Sequence, residues 1–334
     1  MSRRKIIFIC VAAAVILFFS AAVFIFRPSF VFVRLTDPET EIWPNISNLE
    51  KKPITLLFAG DIMLSRSVGK KMAELENWKW PFEKIGEYLS GADLTFGNLE
   101  SVISDEGRNV GSIYSFRADP RVAAGLVFAG FDVLSVANNH IGDWGRLAFE
   151  DSFKILEENG IGHAGGGFSE EEAHQAVIKE VEGTKFAFLA YTTLGAKWTE
   201  AVASSSGAAW LDERISEDIG RARGQADIVI ISIHFGEEYQ TKSNSFQQKI
   251  ARAAIDSGAD LVIGHHPHVA QETENYKCGW IAYSLGNFIF DQYFSKETME
   301  GMLLRVIVRN GKIESFEPIR IKITSDYQAV RQEE

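Results

Sequence analysis

An α/β fold whose chemistry sits along one sheet edge is what this sequence predicts, and three observations predict it. From Ile54 onward, short apolar runs alternate with helical stretches. Those runs stop, one after another, at residues able to bind a metal or move a proton. The clearest case is Asp260-Leu-Val-Ile-Gly-His-His-Pro-His-Val269, which places His265, His266 and His268 at the carboxyl end of a buried strand. In an open α/β sheet that edge is where strands stop, loops converge and ligands collect. Pro267 fixes the backbone between His266 and His268, and a His-x-His pair on a rigid turn suits one or two borderline ions such as zinc, manganese or iron.

Taken in order, Ile54–Ala59 reads as a buried strand ending in Gly60-Asp61. Trp80–Ser90 reads as a helix with Pro81 in its first turn. Asp93–Gly97 is a strand running into Asn98-Leu99-Glu100, and Pro120–Gly130 a small-residue helix closed by glycine. Asp132–Ala137 is a strand that leads to Asn138-Asn139-His140, and Arg146–Asn159 an amphipathic helix stopped by Gly160. Ala176–Thr192 is a hairpin about Glu182-Gly183, followed by a surface loop over 194–210. Helices are expected at Asp212–Gly224 and Ser245–Ser257, on either side of a strand, Asp227–Ile233, that delivers His234. Val269–Phe290 and Gly301–Ile323 read as strand pairs, the second turning at Asn310-Gly311. Residues 325–334 read as a polar, frayed tail.

The first 27 residues are of a different kind. After a cytoplasmic end (residues 1–5) bearing Arg3, Arg4 and Lys5, the 21 residues Ile6–Phe26 are uninterruptedly apolar or small. About 20 such residues cross a bilayer core, and the basic cluster before them keeps that end in the cytoplasm. The exit, Val-Phe-Ile-Phe-Arg-Pro, is a poor cleavage site. The expectation is an uncleaved single-pass signal anchor (6–26), a proline-containing linker (27–52) and an extracytoplasmic domain over 53–324. Cys10 lies in the span and Cys278 far away, so no intramolecular disulfide is expected. Four of the 34 basic residues and none of the 45 acids fall in the first 27 positions, which leaves 30 bases against 45 acids and a formal charge of −15 beyond them. That excludes nucleic acid as a partner, and leaves room for a small anionic group held by metal.

Set side by side, Asp61, Glu100, Asn139, His140, His234, His266 and His268 all follow an apolar strand within a few residues. If the strands are parallel neighbours, two carboxylates, a carboxamide and four imidazoles open onto one edge. That donor set serves two ions sharing a carboxylate, or one ion with an open position.

At these residues the chain resembles a known family. Gly60-Asp61-Ile-Met, Gly97-Asn-Leu-Glu100, Ala137-Asn-Asn-His140-x-x-Asp143-x-Gly145, His234-Phe-Gly-Glu-Glu-Tyr239, Gly264-His-His-Pro-His-Val269 and Tyr283-Ser-Leu-Gly-Asn-Phe288 are similar to motifs of the capsule-synthesis protein CapA family, over roughly residues 54–292. That family is linked to making or exporting poly-γ-glutamate. It resembles in turn the calcineurin-like metallophosphatases, which implies a four-layer α/β/β/α sandwich with a dinuclear site. By the resemblance Asp61 holds a first metal, Glu100 stands in the bridging position, and Asn139, His234 and His266 hold a second metal, while His268 returns to the first. His140 protonates a leaving group and Asp143 orients it. One departure is Met63, where the phosphatase pattern has histidine. A thioether is a poor ligand for such metals, so the first site lacks the imidazole that the phosphatase pattern supplies from that loop.

Around this set, Arg117 is expected either to neutralise an anionic substrate or to form a structural salt bridge. His265 is expected to point away from His266, and Glu238, Asn287 and Asp291 to support the site or line its rim. His163, among glycines, reads as part of a flexible loop, and His174, among glutamates, as a surface residue. Two functional classes follow: a metal-dependent hydrolase or transferase acting on an anionic polymer or its precursor, and a non-catalytic subunit working with the membrane components of a polymer synthase or exporter.

Overall fold

Buried β-branched and aromatic runs build most of the molecule. The computed structural model describes residues 52–332. The expected cytoplasmic end, the anchor Ile6–Phe26 and the linker up to residue 51 lie outside the described residues. Among those described, no helix is long and apolar enough to cross a membrane.

In chain order the main elements are β1 (Ile54–Ile62), α1 (Arg66–Glu74), β2 (Leu94–Leu99), α2 (Ala123–Ala129), β3 (Val133–Ser135), α3 (Gly145–Glu158), β4 (Gly162–Ala164), β5 (Val177–Val181) and β6 (Thr184–Thr192). There follow α4 (Ile215–Arg223), β7 (Ile228–His234), α5 (Ser245–Asp256), β8 (Leu261–His265), β9 (Thr273–Tyr276), β10 (Gly279–Ala282), β11 (Asn287–Ile289), β12 (Glu300–Arg309), β13 (Lys312–Ile323) and β14 (Ala329–Arg331).

They form two mixed sheets. The first runs β14-β13-β12-β1-β2-β3-β4, with β11 added in parallel at the end of β1. The second runs β9-β10-β8-β7-β6-β5. In each, the central strands that carry the polar residues are parallel, β1 with β2 and β6 with β7 and β8, so their carboxyl ends share one edge. The sheets face each other across an aromatic layer. Phe96 stacks on Phe188 with ring centres 5.6 Å apart, and Trp280 on Phe316 at 4.8 Å. On the outside of the second sheet, α4 and α5 bury Ile219, Ala222, Ala251 and Ile255 against Val229, Ile231 and Val262. Leu126 of α2 and Phe149, Phe153 and Leu156 of α3 join the core of the first. The result is helices, sheet, sheet, helices, in that order.

Gly264 sits just before the histidine cluster because nothing larger fits: an added Cβ would lie 1.9 Å from the carbonyl oxygen of Tyr283. Gly60, just before Asp61, meets the Gly286 carbonyl oxygen at 2.0 Å in the same way. These contacts let β1, β11 and β8 bring their ends close together.

Several expectations are corrected. Trp80–Ser90 is not one helix but a 3-10 turn at Trp80–Phe82 and a five-residue helix at Gly86–Ser90, because a glycine in mid-helix is unfavourable. Helix α1 carries too few apolar residues to stand out, burying only Val68 and Met72. The stretch 194–210 is not simply a surface loop: Gly207–Ala208 pairs with Gly166–Gly167, and Ala201, Ser206 and Ala209 are buried. The tail is not frayed through its described part, since β14 pairs with β13 and Gln328 donates to the Trp80 carbonyl. His163 belongs to β4, its ring stacked on Phe153 at 4.6 Å. His174 is not a surface residue. It is buried, with Nδ1 2.7 Å from Asp218 Oδ2, a partner 44 positions away that local spacing does not reveal.

Candidate metal centre at the strand ends

Alternation along a strand explains how the polar residues arrive between the sheets. Phe96 of β2, Ile230 of β7 and Ile263 of β8 belong to the inter-sheet core. Side chains two residues on point the same way, so Asn98, Ser232 and His265 continue those rows, and His234 follows Ser232. All four are buried. The apolar sandwich therefore ends at one edge in a polar layer made by the same pleat.

Asp61 is the hub of that layer. Its Oδ1 accepts from Asn98 Nδ2 at 2.9 Å and lies 3.2 Å from His265 Nδ1. Its Oδ2 accepts from the His266 backbone N–H at 3.3 Å and lies 3.3 Å from His268 Nδ1. Glu100 Oε1 accepts from Asn98 Nδ2 at 3.2 Å and stands 3.9 Å from His234 Nδ1, while Oε2 stands 3.9 Å from His268 Nε2. His266 and His268 hold left-handed backbone angles, φ 98° and 59°, on either side of Pro267. Such strain in non-glycine residues persists only where the surroundings over-determine it, and it clusters at functional sites.

Two donor sets result: Asp61, Glu100 and His234, and Glu238, His266 and His268, the ligand atoms within each set lying within 4.8 Å of one another. Glu100 Oε2, His266 Nδ1 and His265 Nε2 are buried without a hydrogen-bond partner among the described residues. Buried polar atoms normally have partners. Carboxylate oxygens and imidazole nitrogens with vacant lone pairs, converging in a buried layer, are what one or two borderline divalent ions require. The residues fit the metal that the sequence predicts.

The electrostatics agree. Burial opposes ionisation of Asp61, but hydrogen bonds from His265 and His268 outweigh it and hold the carboxyl well below the usual range. Glu100 goes the other way: burial, then the negative charge of Asp61, raise it well above that range. Burial and the neighbouring His266 lower His234, and burial and His268 push His266 down to about 3. Both rings therefore stay neutral, as ligands must. A carboxyl raised in the fold contributes stability fully below its unfolded value of 4.5, and that contribution is lost as pH rises through the raised value. The lowered histidines slope oppositely, losing stability as pH falls below 6.5. Ion-free Glu100→Gln protein is therefore expected to gain stability over wild type progressively from pH 4.5 toward neutral, read by urea unfolding at a series of pH values. An unchanging difference between the two profiles would place Glu100 in an ordinary carboxylate environment.

Beside the donor sets lies a hydrogen-bonded histidine–aspartate pair. His140 Nδ1 is 2.8 Å from Asp143 Oδ2, and the same oxygen accepts from the Phe116 backbone N–H at 2.8 Å. Asn139 Nδ2 lies 3.2 Å from His140 Nε2, and Asn139 Oδ1 lies 2.8 Å from His234 Nε2. Asn139 thus uses both ends of its carboxamide on imidazoles and ties the pair to the polar layer. Asn287 Oδ1 lies 3.0 Å from His268 Nδ1, which turns His268 Nε2 toward Glu100.

Four placements add detail to the sequence reading. Arg117 forms no salt bridge among the described residues: it donates to the carbonyls of Asp105 and Glu106 and lies over the Trp144 ring at 3.7 Å. His265 joins the site through its contact with Asp61. Asp291 accepts from the Ser67 backbone N–H and pairs with Arg66 at 3.1 Å, so it supports the rim through an arginine. The Met63 sulfur is buried and accepts from the Ser65 backbone N–H and hydroxyl, at 3.2 and 3.0 Å. Asn98 was missed outright, although it precedes Glu100 by two positions on a strand and so shares its face. Asn138 was missed too; it donates to Leu99 O and to Asn98 Oδ1, and its own Oδ1 accepts from the His140 backbone N–H.

Comparison with known proteins bears on the whole arrangement. Residues 55–292 match the family model described as bacterial capsule synthesis protein PGA_cap, a span that contains every residue of the two donor sets. The chain is 31% identical to the capsule biosynthesis protein CapA of Bacillus anthracis over 281 residues, 81% of this chain and 68% of that protein. It is 29% identical to the PGA biosynthesis protein CapA of Bacillus subtilis (strain 168) over 297 residues, 88% of this chain and 77% of that protein. A hypothetical protein from Thermus thermophilus shares the fold with a TM-score of 0.52 and 15% sequence identity, over 80% of this chain and 99% of that one. With its strand-end motifs inside a match of that extent, the chain belongs to the bacterial capsule synthesis protein family, PGA_cap.

Proposed function

We propose that this protein acts in the synthesis or export of an anionic capsular polymer such as poly-γ-glutamate, from a metallophosphatase-like domain anchored outside the cytoplasmic membrane. In this reading Asp61, Glu100 and His234 hold one divalent ion, and Glu238, His266 and His268 a second. The observation that carries it is the convergence of five buried residues and the exposed Glu238 at one sheet edge, with Glu100 Oε2 and His266 Nδ1 buried and unpartnered among the described residues, in a chain whose relatives are named for capsule and PGA biosynthesis. The apolar stretch Ile6–Phe26 supports membrane anchoring, and the partners are the membrane subunits of the polymer machinery.

When bound, a divalent ion supplies Lewis acidity toward an oxygen of the substrate. The remaining roles fall to the chain. Asp61 holds His265, His268 and the His266 backbone in register, and Asn287 fixes the His268 ring. Asp143, anchored by the Phe116 N–H, keeps the His140 Nδ1 proton in place, so that Nε2 is the atom that accepts or delivers a proton. The His140–Asp143 pair favours turnover over a purely structural role, because a scaffold needs no oriented imidazole beside a metal layer.

The full chain, purified in detergent and supplied with zinc or manganese, is expected to retain at least one ion. His140→Ala should retain the same metal and lose roughly 100-fold or more in polymer output from capsule-forming cells. Normal output from His140→Ala would point to the scaffold role, and failure to hold either metal would remove the metal centre.

A further inference from the structure

With Arg117 occupied elsewhere, the strand-end site is rich in acids: Asp61, Glu100 and Glu238 in the donor sets, with Asp143 and Asp291 beside them. Bound ions offset the first three. A polyanion extending past the ions still needs a cation on the wall, and Arg66 is placed there. It follows Met63-Leu64-Ser65 at the end of β1 and opens α1 with φ 50°, a left-handed conformation that arginine rarely adopts. Its guanidinium carbon lies 5.5 Å from the centre of the Phe116 ring. Phe116 packs on His140 at 4.0 Å and on Phe290 at 5.8 Å, and Phe290 packs on His268 at 4.9 Å. Arginine, proton-transfer pair and metal layer therefore share one aromatic wall.

The arginine is held but not used up. Asp291, with its side chain 1% exposed, forms an ion pair with Nη2 at 3.1 Å, while the Arg66 side chain remains 38% exposed. A guanidinium carries five N–H donors in a planar fork, so donors remain for a second carboxylate. A buried acid that pins one edge of a guanidinium and leaves the other toward solvent orders the fork before any ligand arrives.

We propose that Arg66 is the specificity-determining arm of the site, gripping one carboxylate of a polycarboxylate chain while a neighbouring unit of that chain lies at the donor sets; this rests on the polymer reading above. The probes are a short γ-linked glutamate oligomer and inorganic phosphate, titrated into the manganese-loaded full chain. Arg66→Gln is expected to weaken the oligomer about tenfold or more and to flatten the salt dependence of its binding. Metal content and phosphate affinity should hold, with Arg66→Lys intermediate. Oligomer affinity unchanged in Arg66→Gln overturns the proposal, as does equal weakening of oligomer and phosphate, which would make Arg66 part of the ion site itself. If metal-loaded wild type binds phosphate but not the oligomer, the polymer reading fails along with this role, while the metal centre stands.

Discussion

Replacing His266 by alanine should abolish polymer production and cost more than about 100-fold in metal affinity. His266 combines three features that no other single residue of the site shares. Its Nδ1 is buried without a partner, burial keeps its ring neutral down to about pH 3, and its backbone N–H binds Asp61. Alanine deletes the ligand and keeps the backbone contact, so the change acts on the metal layer while the fold survives. The checks are metal analysis of the purified chain and polymer yield in complemented cells, alongside a circular dichroism spectrum expected to match wild type. Wild-type metal content in His266→Ala would exclude that ring as a ligand.

Asp61→Ala should act on the fold as well as on the metal. The carboxylate is fully buried and receives Asn98, His265, His268 and the His266 N–H. Its removal leaves buried donors facing a void, a change of the kind that costs about 3–5 kcal/mol out of a total stability of about 5–15 kcal/mol. Urea unfolding of the ion-free protein should show that loss, and Asp61→Asn, which preserves shape and an acceptor oxygen, should recover part of it. A loss below about 1 kcal/mol would mean that the imidazoles find other partners and that Asp61 is not the hub.

The two expectations differ in kind because the residues do. His266 leaves the pleat on a strained turn after β8 and carries an open lone pair. Asp61 lies within the last residues of β1, where its oxygens are already engaged by the chain. One therefore answers chiefly to the metal, the other to the architecture that receives it.

Much of this was legible before folding. The parallel strands around Asp61, Glu100, His234 and His265 announce themselves as apolar runs, and the turns at Glu182-Gly183 and Asn310-Gly311 fall where their residues require them. The convergence of Asp61, Glu100, His140, His234, His266 and His268 followed from the rule that parallel strands end at one edge. Asn98 was equally available, since a period of two puts it on the face of Glu100. His174, Arg117 and Arg66 were not available, because a histidine among glutamates or an arginine after a strand looks alike whether its partner is solvent, Asp218, a pair of carbonyls or Asp291.

The sequence by itself determined the family, the α/β class and which strand ends carry Asp61, Glu100, His234, His266 and His268, while Glu238 joined the donor sets only in the fold. Strand polarity, alternation and residue type are local properties, and they suffice to send those side chains to one edge. Only the tertiary structure decided which groups pair: that Asp61 joins four partners, that Glu100 keeps a vacant oxygen, that Arg117 is occupied elsewhere and that Arg66 pairs with Asp291 over the Phe116 ring. Pairing depends on where one sheet stops against another, and that distance is set by the packing of Phe96 on Phe188 and by the glycines that let β1, β8 and β11 close up. No window of residues along the chain encodes it.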